Sequence, residues 1–439
     1  MTLTMEKLVA LCKRRGFVYP SSEVYGGLVS AWDYGPLGVA LKNRIRDEWW
    51  REMTQLHDNI VGLDSSILMH PKVWEASGHV DNFSDPLVDC RKCKTRFRSD
   101  QVIIKDSKCP ACGATELTEA RQFNLMFKTN LGSVEDKVNT IFLRPETAQG
   151  SYVNFKNVQQ SSRLKIPFGI AQVGKAFRNE ITTKSFIFRT CEFEQMEMQY
   201  FVHPSEDHRW FSHWKEKRFE YYLKLGIDPK NLRFHKHEGD ELAHYARNAY
   251  DIEYKFPFDW QELEGIHNRG DYDLTQHMKF SGKDLSYVDE SSREKFVPYI
   301  IETAVGLTRS VLMVLCDSYT EDVVNDETRV YMKFHPRIAP VTVGVFPLVK
   351  KDGLAELAKE IELELRESFT TYYDQSGAIG RRYRRQDEIG TPYCITIDYT
   401  TKDDETVTLR YRDTTQQIRI NRKEILSTIQ NELRIYVPR

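Results

Sequence analysis

Residues 177 to 201, FRNEITTKSFIFRTCEFEQMEMQYF, constrain the fold more than any other segment of the chain. Aromatic and β-branched residues favour two strands here, and TTKS between them is typical of a connecting loop. Side chains two positions apart share one face of a strand, so Arg178 and Glu180 share a face. Further along, Phe193 and Glu197 share another face. The pattern predicts a hairpin that presents a cation, an aromatic ring and several acids to one cavity, and the alternative is a half-exposed hairpin with solvated charges.

Length and composition predict a globular protein of two or three domains. The 439 residues suffice for large cores, and 62 basic residues against 64 acidic ones give a net charge of −2. This balance indicates no general attraction to nucleic acid, although a local basic surface would still allow binding. No apolar run approaches the roughly 20 residues that a membrane-spanning helix needs, and the N-terminal segment lacks the order of a secretory signal. We therefore expect a cytoplasmic protein with no membrane partner.

Periodicity in the sequence divides the chain at about residue 337. In the first part, residues 36–54 have apolar side chains at helical spacing, and residues 204–256 suggest a mostly helical insertion. The stretch HPRIAP then reads as a linker, after which strands and helices alternate towards the C-terminus. We predict an α+β fold with one domain at 1–336 and an α/β domain on a mixed sheet at 337–439.

Four of the eight cysteines form a pair of CxxC motifs within a segment at about residues 88–115. The four are Cys90, Cys93, Cys109 and Cys112. Two such motifs at this spacing are typical of two knuckles around one tetrahedral zinc ion. Because thiolates fill every coordination position, the predicted zinc is structural and takes no part in catalysis. The alternatives are two redox dithiols, or cysteines that hold no metal.

Five further motifs are specific as a set. They are RPETAQG (144–150), FRNE (177–180), CEFEQME (191–197), ELEG (262–265) and ETAVGLTR (302–309). In this order they resemble the glycyl-tRNA synthetases of the single-polypeptide, dimeric type, a family of class IIa aminoacyl-tRNA synthetases. RGFVYPSSEVYGG near the start and HPKVWEASGHVDNF (70–83) are similar to that family too, so the resemblance covers nearly the whole chain. It implies an antiparallel sheet flanked by helices, a zinc knuckle on the catalytic domain, and a C-terminal α/β anticodon-binding domain.

The resemblance implies ATP-dependent ligation of glycine to tRNA(Gly) through a glycyl-adenylate intermediate. Adenylation is an in-line attack by the carboxylate of the amino acid on the α-phosphate of ATP, with pyrophosphate as the leaving group. The protein must bring two anions together and stabilise spreading charge, so it needs arginines and Mg²⁺ rather than a nucleophilic side chain. By its match to the family motif, Arg178 is expected to bridge the α-phosphate and the substrate carboxylate, a task that suits a guanidinium better than a lysine.

The same resemblance assigns a set of residues to ATP. They are Arg178, Asn179, Glu180, Arg189, Phe193, Glu262, Leu263, Gly306 and Arg309. Glu180 is expected to face the adenine amino group, and Phe193 is expected to stack under the ring. Arg309 is expected to cover the other face or to hold the γ-phosphate region, so Arg178, Glu180 and Arg309 are the predicted catalytic residues. Glu262 is the expected protein contact of Mg²⁺.

The resemblance also implies a small, acidic site for glycine. Its predicted residues are Arg98, Glu146, Phe193, Glu197, Glu302 and Ala304. The three glutamates are expected to surround the ammonium group, and their crowding would exclude a methyl group, which a tolerant pocket discriminates by only about 1–3 kcal/mol. Ala304 departs from the family, which usually has serine at this position. Either a water molecule replaces that hydroxyl group or the pocket tolerates its loss.

Several segments are predicted to contact partner macromolecules. Those in the last domain are Arg381, Arg382, Arg384 and Arg385, and LRYRDTTQQ at 409–417. Single-stranded RNA is commonly bound by arginines and aromatic rings, although a basic run is more often a solvated face. Lys184, in the loop of the FRNE hairpin, is predicted to meet the acceptor end of tRNA. The helix at 36–54 resembles the first class II motif, which implies a homodimer.

Two other functions stay open at this point. One is a class IIa synthetase for another small amino acid, against which the three glutamates and their small pocket argue. The other is a non-catalytic, class II-like paralogue that binds nucleic acid. Such a protein would not be expected to keep Phe193 and Glu302 together with the predicted catalytic residues, so the sequence favours glycine ligation.

Overall fold

The computed structural model describes residues 3–99, 108–132, 139–180, 185–243, 245–324 and 326–436. Its α-helices are Met5–Arg15 (α1), Pro36–Gln55 (α2), Lys72–Ala76 (α3), His79–Asn82 (α4), Ala148–Val153 (α5), Phe155–Ser161 (α6), Asp207–Lys224 (α7), Tyr272–Ser281 (α8), Leu307–Ser318 (α9), Leu354–Arg366 (α10), Ile379–Ile389 (α11), Tyr399–Asp404 (α12) and Ile425–Ile435 (α13). The strands of the N-terminal part are Val18–Pro20 (β1), Trp32–Tyr34 (β2), Ile60–Leu63 (β3), Ser84–Asp89 (β4), Arg96–Arg98 (β5), Arg121–Asn124 (β6), Lys128–Asn130 (β7), Thr140–Phe142 (β8), Phe168–Phe177 (β9), Glu192–Val202 (β10), Leu232–Lys236 (β11), Asn248–Phe256 (β12), Asp259–Gly270 (β13), Tyr287–Val288 (β14), Lys295–Phe296 (β15), Tyr299–Gly306 (β16), Tyr319–Val324 (β17) and Glu327–Met332 (β18). The strands of the C-terminal part are Val343–Pro347 (β19), Thr371–Tyr373 (β20), Tyr393–Ile397 (β21), Thr406–Tyr411 (β22) and Gln417–Asn421 (β23). Within the described ranges, no helix is both long and apolar enough to cross a membrane.

A sheet of the order β11-β12-β13-β16-β10-β9-β3 forms the centre of the N-terminal part. Its neighbouring strands are antiparallel, except that β3 joins β9 in parallel. β9 and β10 form the long hairpin that the sequence predicts. Arg178 and Glu180 lie beyond the end of β9, so the prediction that they share a strand face is wrong. The amide group of Arg178 still donates to its register partner Cys191 O at 2.9 Å, and the chain then leaves the ladder because the amide group of Asn179 donates to Leu125 O at 2.8 Å.

Alternation along β10 divides its side chains between a cavity and the core. Met196, Met198 and Tyr200 are buried in the main apolar core, which α2, α7 and α9 complete. Phe193 and Glu197 point to the other face and line the cavity. This antiparallel sheet with helices packed on it confirms the predicted α+β fold.

A β-bulge changes the alternation along β13. Glu253 pairs with Glu262 and Ile252 pairs with Glu264, so Leu263 is the extra residue. Glu262 lines the cavity, whereas Leu263 and Glu264 are fully buried on the core side of the sheet. Glu262 and Glu264 are two positions apart and would share a face of a regular strand. Because of the bulge, their side chains point to opposite faces of the sheet.

The region 204–256 is not mostly helical, contrary to the sequence prediction. α7 is its one long helix among the described residues, and β11 and β12 extend the central sheet. Along β12 the buried positions change phase between Asp251 and Ile252, next to the bulge in the pairing with β13. The segment therefore lacks the steady alternation that predicts a strand.

The C-terminal part contains a separate mixed sheet of the order β20-β19-β21-β22-β23. β19 is parallel to both of its neighbours, and β22 and β23 continue the sheet in antiparallel fashion. The sheet has its own apolar core, to which α10 contributes Leu354 and Ile361 and α13 contributes Ile429. This arrangement confirms the predicted α/β architecture of the C-terminal part.

Arg218 joins three elements in the interior of the N-terminal part. Its fully buried guanidinium donates to Glu264 Oε1 on β13 at 2.6 Å and to Glu52 Oε2 on α2 at 2.9 Å. The hydroxyl group of Tyr222 donates to the other oxygen of Glu264 at 2.5 Å. Because a buried charge is tolerated only when it is paired and hydrogen-bonded, this cluster fixes α2 and α7 against the bulged strand.

Replacing Arg218 by alanine should lower the free energy of unfolding by about 3–5 kcal/mol, because Glu264 would stay buried without its partner. Thermal and denaturant unfolding followed by tryptophan fluorescence measures the loss. Arg209→Ala is the matched control, since this arginine lies on the same helix with 71% of its side chain exposed, and it should change stability by less than about 0.5 kcal/mol. Equal stability of the two variants would contradict the role assigned to Arg218.

Candidate active site

A cavity of about 330 Å³ lies on one face of the central sheet, between β10, β13 and β16 and beneath the connection from β9 to β10. Most of the residues that the sequence predicts for ATP and glycine line it. They are Glu146, Arg178, Glu180, Arg189, Phe193, Glu197, Glu262, Glu302, Ala304, Gly306 and Arg309. One site is therefore formed by the hairpin, the bulged strand β13 and the turn from β16 into α9. The motifs in these elements were predicted to form a single site.

Some predicted contacts lie outside the cavity walls. Leu263 packs into the core as the extra residue of the bulge, so its side chain does not line the cavity. Arg98 lies on β5 and pairs with Asp85 Oδ1 at 2.9 Å, in the small sheet that carries the cysteines. Asn179 lies beyond the end of β9 and is not part of the lining. Lys184 lies outside the described residues.

Arg269, which the sequence analysis did not identify, is the central cation of the site. It is buried and bonds both oxygens of Asp273, at 2.8 and 2.9 Å, and both oxygens of Glu302, at 3.2 and 3.3 Å. Glu302 also accepts from Gln199 Nε2 at 3.0 Å and from His267 Nδ1 at 2.9 Å. Burial raises the pKa of Glu302, but Arg269 and His267 lower it more, so the pKa falls below its usual value. Glu302 is therefore an ionised carboxylate whose two oxygens are already occupied.

Glu146 is held at the edge of the cavity by two neighbours. Gln149 Nε2 donates to its Oε1 at 2.9 Å, and His79 Nε2 lies 3.3 Å from its Oε2. Burial raises the pKa of Glu146, but the His79 and Arg269 charges and these bonds lower it more, so the net pKa is below the usual value. Gln149 Nε2 also lies 3.2 Å from Asp273 Oδ1, which connects Glu146 to the cluster around Arg269.

Glu197 is a cavity carboxylate that forms no ion pair with the residues that the structure describes. Its side chain is buried, its Oε2 atom is enclosed by the protein, and the Thr147 hydroxyl group beside it lowers its pKa slightly. Burial, together with the charges of Glu302 and Glu146, raises the pKa of Glu197 to about 8. A cationic group in the cavity would stabilise the ionised form of this carboxylate. The geometry therefore suits an ammonium group beside Glu197.

Arg178 is stacked between two aromatic rings. Its guanidinium carbon lies 5.3 Å from the ring centres of both Phe83 and Phe193. Its Nε donates to Pro145 O at 3.0 Å, which fixes the plane of the group. A guanidinium oriented in this way keeps its terminal nitrogens available for an anion in the cavity.

Two further arginines line the same end of the cavity. Arg309 lies 3.2 Å from Glu262 Oε2, and its guanidinium carbon lies 4.5 Å from the ring centre of Phe188. The charge of Arg309 lowers the pKa of Glu262. Arg189 lies 3.8 Å from Glu180 Oε2. Together with the stacked guanidinium, these cations form one half of the cavity, and the carboxylate pocket around Arg269 forms the other half.

The cavity walls also include residues that the sequence analysis missed. They are Phe188, Thr190, Gln195, His237, Tyr245, Asp251, Gly265, His267, Arg269 and Thr308. Gly265, His267 and Arg269 are two positions apart on β13, so the strand periodicity that follows ELEG was a usable signal. His237 lies just after β11 and Asp251 lies on β12, and no local pattern connects them to the cavity.

The four cysteines converge on one point at the end of the small sheet formed by β4, β5 and β6. Their sulfur atoms all lie within 4.8 Å of one another. The Sγ atoms of Cys90 and Cys112 are 3.6 Å apart, and so are those of Cys93 and Cys109. A tetrahedral zinc ion with Zn–S bonds of about 2.3 Å places its sulfur ligands roughly 3.8 Å apart, so the arrangement fits zinc.

The two CxxC turns share one backbone geometry. The residue that follows each second cysteine has a positive φ, 60° for Lys94 and 71° for Gly113. Each of these residues donates its N–H to the carbonyl group of the first cysteine of its motif, at 2.9 and 2.8 Å. Two equivalent turns that face each other form the knuckle predicted from the spacing.

The arginines of α11 do not form the continuous basic surface that the sequence predicts. Arg382 is buried, and its guanidinium donates to backbone carbonyl groups, so the prediction that it contacts RNA is wrong. Arg384 and Arg385 are half-buried and pair with carboxylates at 3.8 and 2.7 Å. Arg381 is exposed. A helix that packs on a sheet must bury one face. An arginine on that face is stable only if its guanidinium N–H groups find hydrogen-bond acceptors.

The second candidate segment, 409–417, is also partly buried. Arg410 forms a buried pair with Asp387, and Arg412 donates to the carbonyl groups of residues 334 and 390. The polar loop that follows β22 instead borders a cavity of about 590 Å³, to which Tyr411 and Gln416 contribute. The exposed part of this segment is thus the loop rather than the arginines.

Glu197→Gln should change how stability depends on pH. The pKa of Glu197 is about 8 in the folded protein and about 4.3 in an unfolded chain, so between these values the folded state binds a proton that the unfolded state has lost. Stability contributed by this group therefore falls as the pH rises from about 4.5 to 8. Glutamine does not titrate, so the variant should gain stability over the wild type progressively across this window.

Thermal unfolding of both proteins between pH 5 and pH 8 measures this difference. Glu192→Gln, on the same strand with 49% of its side chain exposed, is the control and should follow the wild type closely. A difference between Glu197→Gln and the wild type that does not vary with pH would contradict the raised pKa.

Comparison with known proteins agrees with this geometry. A model of the class II tRNA synthetase core domain (G, H, P, S and T) matches residues 127–319, and a model of the anticodon binding domain matches residues 342–432. The chain is 62% identical to a glycine–tRNA ligase of Treponema denticola, over 99% of this chain and 98% of that protein. It is 59% identical to a glycine–tRNA ligase of Borreliella burgdorferi, over 98% of each chain, and 55% identical to one of Treponema pallidum, over 98% and 99%. The chain belongs to the glycine–tRNA ligases, a family of class II aminoacyl-tRNA synthetases.

Proposed function

We propose that this protein activates glycine with ATP and transfers it to tRNA(Gly). The observation that carries the proposal is the division of the cavity into a cationic half and an acidic half. Three arginines line the first half, and the carboxylates of Glu146, Glu197 and Glu302 lie in the second. An amino acid is a zwitterion, so its carboxylate fits beside the arginines, where the phosphates also bind, while its ammonium group fits beside Glu197.

In the first step, a carboxylate oxygen of glycine forms a bond to the α-phosphorus of ATP, and the bond from that phosphorus to the pyrophosphate group breaks. Arg178 is positioned to bind both anions, because stacking between Phe83 and Phe193 fixes its plane. Arg189 and Arg309 are assigned to the remaining phosphate charge. No side chain is needed as a nucleophile, and none of these three residues exchanges a proton during the step.

Mg²⁺ and ATP complete this site. Glu262 is proposed to hold Mg²⁺, and its carboxylate suits this role because it lines the cavity and 52% of the side chain is exposed. When bound, the ion supplies charge that neutralises the phosphate oxygens. Glu180 and Phe193 are proposed to bind the adenine group, Glu180 by accepting from its amino group and Phe193 by stacking.

Selection of glycine is proposed to rest on steric exclusion around the ammonium group. Glu197 receives the ammonium group, and Glu146 adds a second carboxylate at the edge of the pocket. Glu302 is held by Arg269 and cannot turn away to make room for a larger side chain. The methyl group of Ala304 lies across the strand pair from Gly265, and these two residues form the floor of this half.

The transfer step requires the 3′ end of tRNA, and the C-terminal part is proposed to bind the anticodon. Arg381 and the loop after β22 are the candidate contacts, since they are the exposed members of the two segments that the sequence singles out. Arg384 and Arg385 are secondary candidates because their carboxylate partners would have to be displaced. A homodimer is proposed as well, in line with the exposed apolar side chains of Val24 and Tyr25.

Exchange of labelled pyrophosphate into ATP, measured without tRNA, tests the proposed reaction. We expect exchange with glycine and none with alanine or serine, and Arg178→Ala should lower it by at least about 100-fold because one group orients both reactants. Transfer of labelled glycine to tRNA(Gly) then completes the assay. Exchange with alanine or serine would indicate a synthetase for another amino acid. No exchange with any of the three by a folded wild-type protein would indicate a non-catalytic binder.

Elemental analysis of the purified protein tests the cysteine cluster. We propose a structural zinc ion and expect about one zinc per chain, because four converging thiolates leave no ligand position open. Cys90→Ser should lose most of the metal, whereas Cys191→Ser should keep it, since Cys191 lies outside the cluster. Full zinc content in Cys90→Ser, or a wild-type protein without metal, would contradict this assignment.

A further inference from the structure

His267 is a cavity residue to which neither the motifs nor the proposed reaction gives a role. It lies on β13 and pairs with Glu302 on β16, and the preceding pair on the same face is Gly265 with Ala304. Its Nδ1 lies 2.9 Å from Glu302 Oε2. An ionised carboxylate can only accept a hydrogen bond, so Nδ1 is the donor of this pair and carries a proton. When the ring carries only that proton, Nε2 is an acceptor.

The ring of His267 leans over Gly265. A Cβ atom on Gly265 would lie 2.6 Å from Cε1 and 3.3 Å from Nε2 of His267, so only glycine allows this orientation. Nε2 consequently lies over Gly265, whose cross-strand partner is Ala304, and the methyl group of Ala304 offers neither a donor nor an acceptor. Among the residues that the structure describes, no hydrogen bond to Nε2 of His267 is formed.

The acceptors of the acidic half are unequally available to an ammonium group. Both oxygens of Glu302 are occupied by Arg269, Gln199 and His267. Oε2 of Glu197 is enclosed by the protein, so at most the other oxygen of this carboxylate faces an ammonium group, which has three N–H donors. A neutral imidazole nitrogen on the same wall supplies a second acceptor without adding another negative charge to a crowded pocket.

We propose that Nε2 of His267 accepts a hydrogen bond from the α-ammonium group of glycine, next to Glu197. This inference rests on the proposed function of the cavity and adds a substrate-binding residue to it. Glu302 then acts on the ammonium group through the imidazole, because its bond to Nδ1 makes Nε2 more basic. Nε2 of His267, on the neighbouring strand, then supplies a polar atom beside the pair formed by Gly265 and Ala304.

Two substitutions separate contact with substrate from support of Glu302. His267→Ala removes both ring nitrogens. His267→Asn is the matched variant, because its side-chain NH₂ group can replace Nδ1 as a donor to Glu302 but places nothing at the position of Nε2. The KM for glycine and the KM for ATP are measured by pyrophosphate exchange in the wild type and in each variant, and thermal unfolding shows that each variant is folded.

We expect both variants to raise the KM for glycine by about 10- to 100-fold, the loss typical of a hydrogen bond to a charged group, while the KM for ATP changes little. A glycine KM of His267→Asn close to the wild-type value would overturn the inference, because the ring would then act only by holding Glu302. An equal rise in both KM values would overturn it too, since that indicates general distortion of the site. Wild-type protein without glycine-dependent exchange would instead overturn the proposed function, and this inference with it.

Discussion

The buried guanidinium of Arg269 is the interaction on which the active site depends. It binds Asp273 and Glu302 at once, in a region that also contains Glu146 and Glu197. Removing several carboxylates from water costs far more than the protein can supply from packing alone, unless cations and donors compensate. Because Arg269 and its partners pair with Glu302 and Asp273, Glu197 is left without an ion pair among the residues that the structure describes. The proposed position of the substrate ammonium group follows from this distribution rather than from the number of glutamates.

β13 couples this charge cluster to the stability of the domain. Its bulge at Leu263 sends Glu264 into the core, where Arg218 and Tyr222 hold it, and sends Glu262 into the cavity. Beyond the bulge, regular alternation brings His267 and Arg269 to the same cavity. The buried pair on one face therefore fixes the register of the residues that line the cavity on the other. A change in register of one position would exchange the two sets of side chains.

Contiguous motifs made much of this site predictable. FRNE, CEFEQME and ETAVGLTR each lie at or near the end of a strand, and several residues of each motif line the cavity. Arg269 and His267 were missed because they lie beyond the ELEG motif, although they continue the strand face of Gly265 at intervals of two residues. Arg382 was misassigned for a different reason. The sequence of α11 shows a cluster of arginines, but which of them faces the sheet depends on packing with β19 and its neighbours.

Discrimination between glycine and alanine also depends on the bonding of Glu302. Alanine has every group that glycine has, so no contact is lost when it binds, and rejection must come from a clash with its methyl group. The free-energy cost of such a clash depends on how rigid the pocket wall is, because a wall side chain that can rotate away relieves most of the clash. Glu302 accepts hydrogen bonds from Arg269, Gln199 and His267, and rotation would break all of them in a buried site. The charge network that compensates for burial is thus also what gives the pocket its rigid walls.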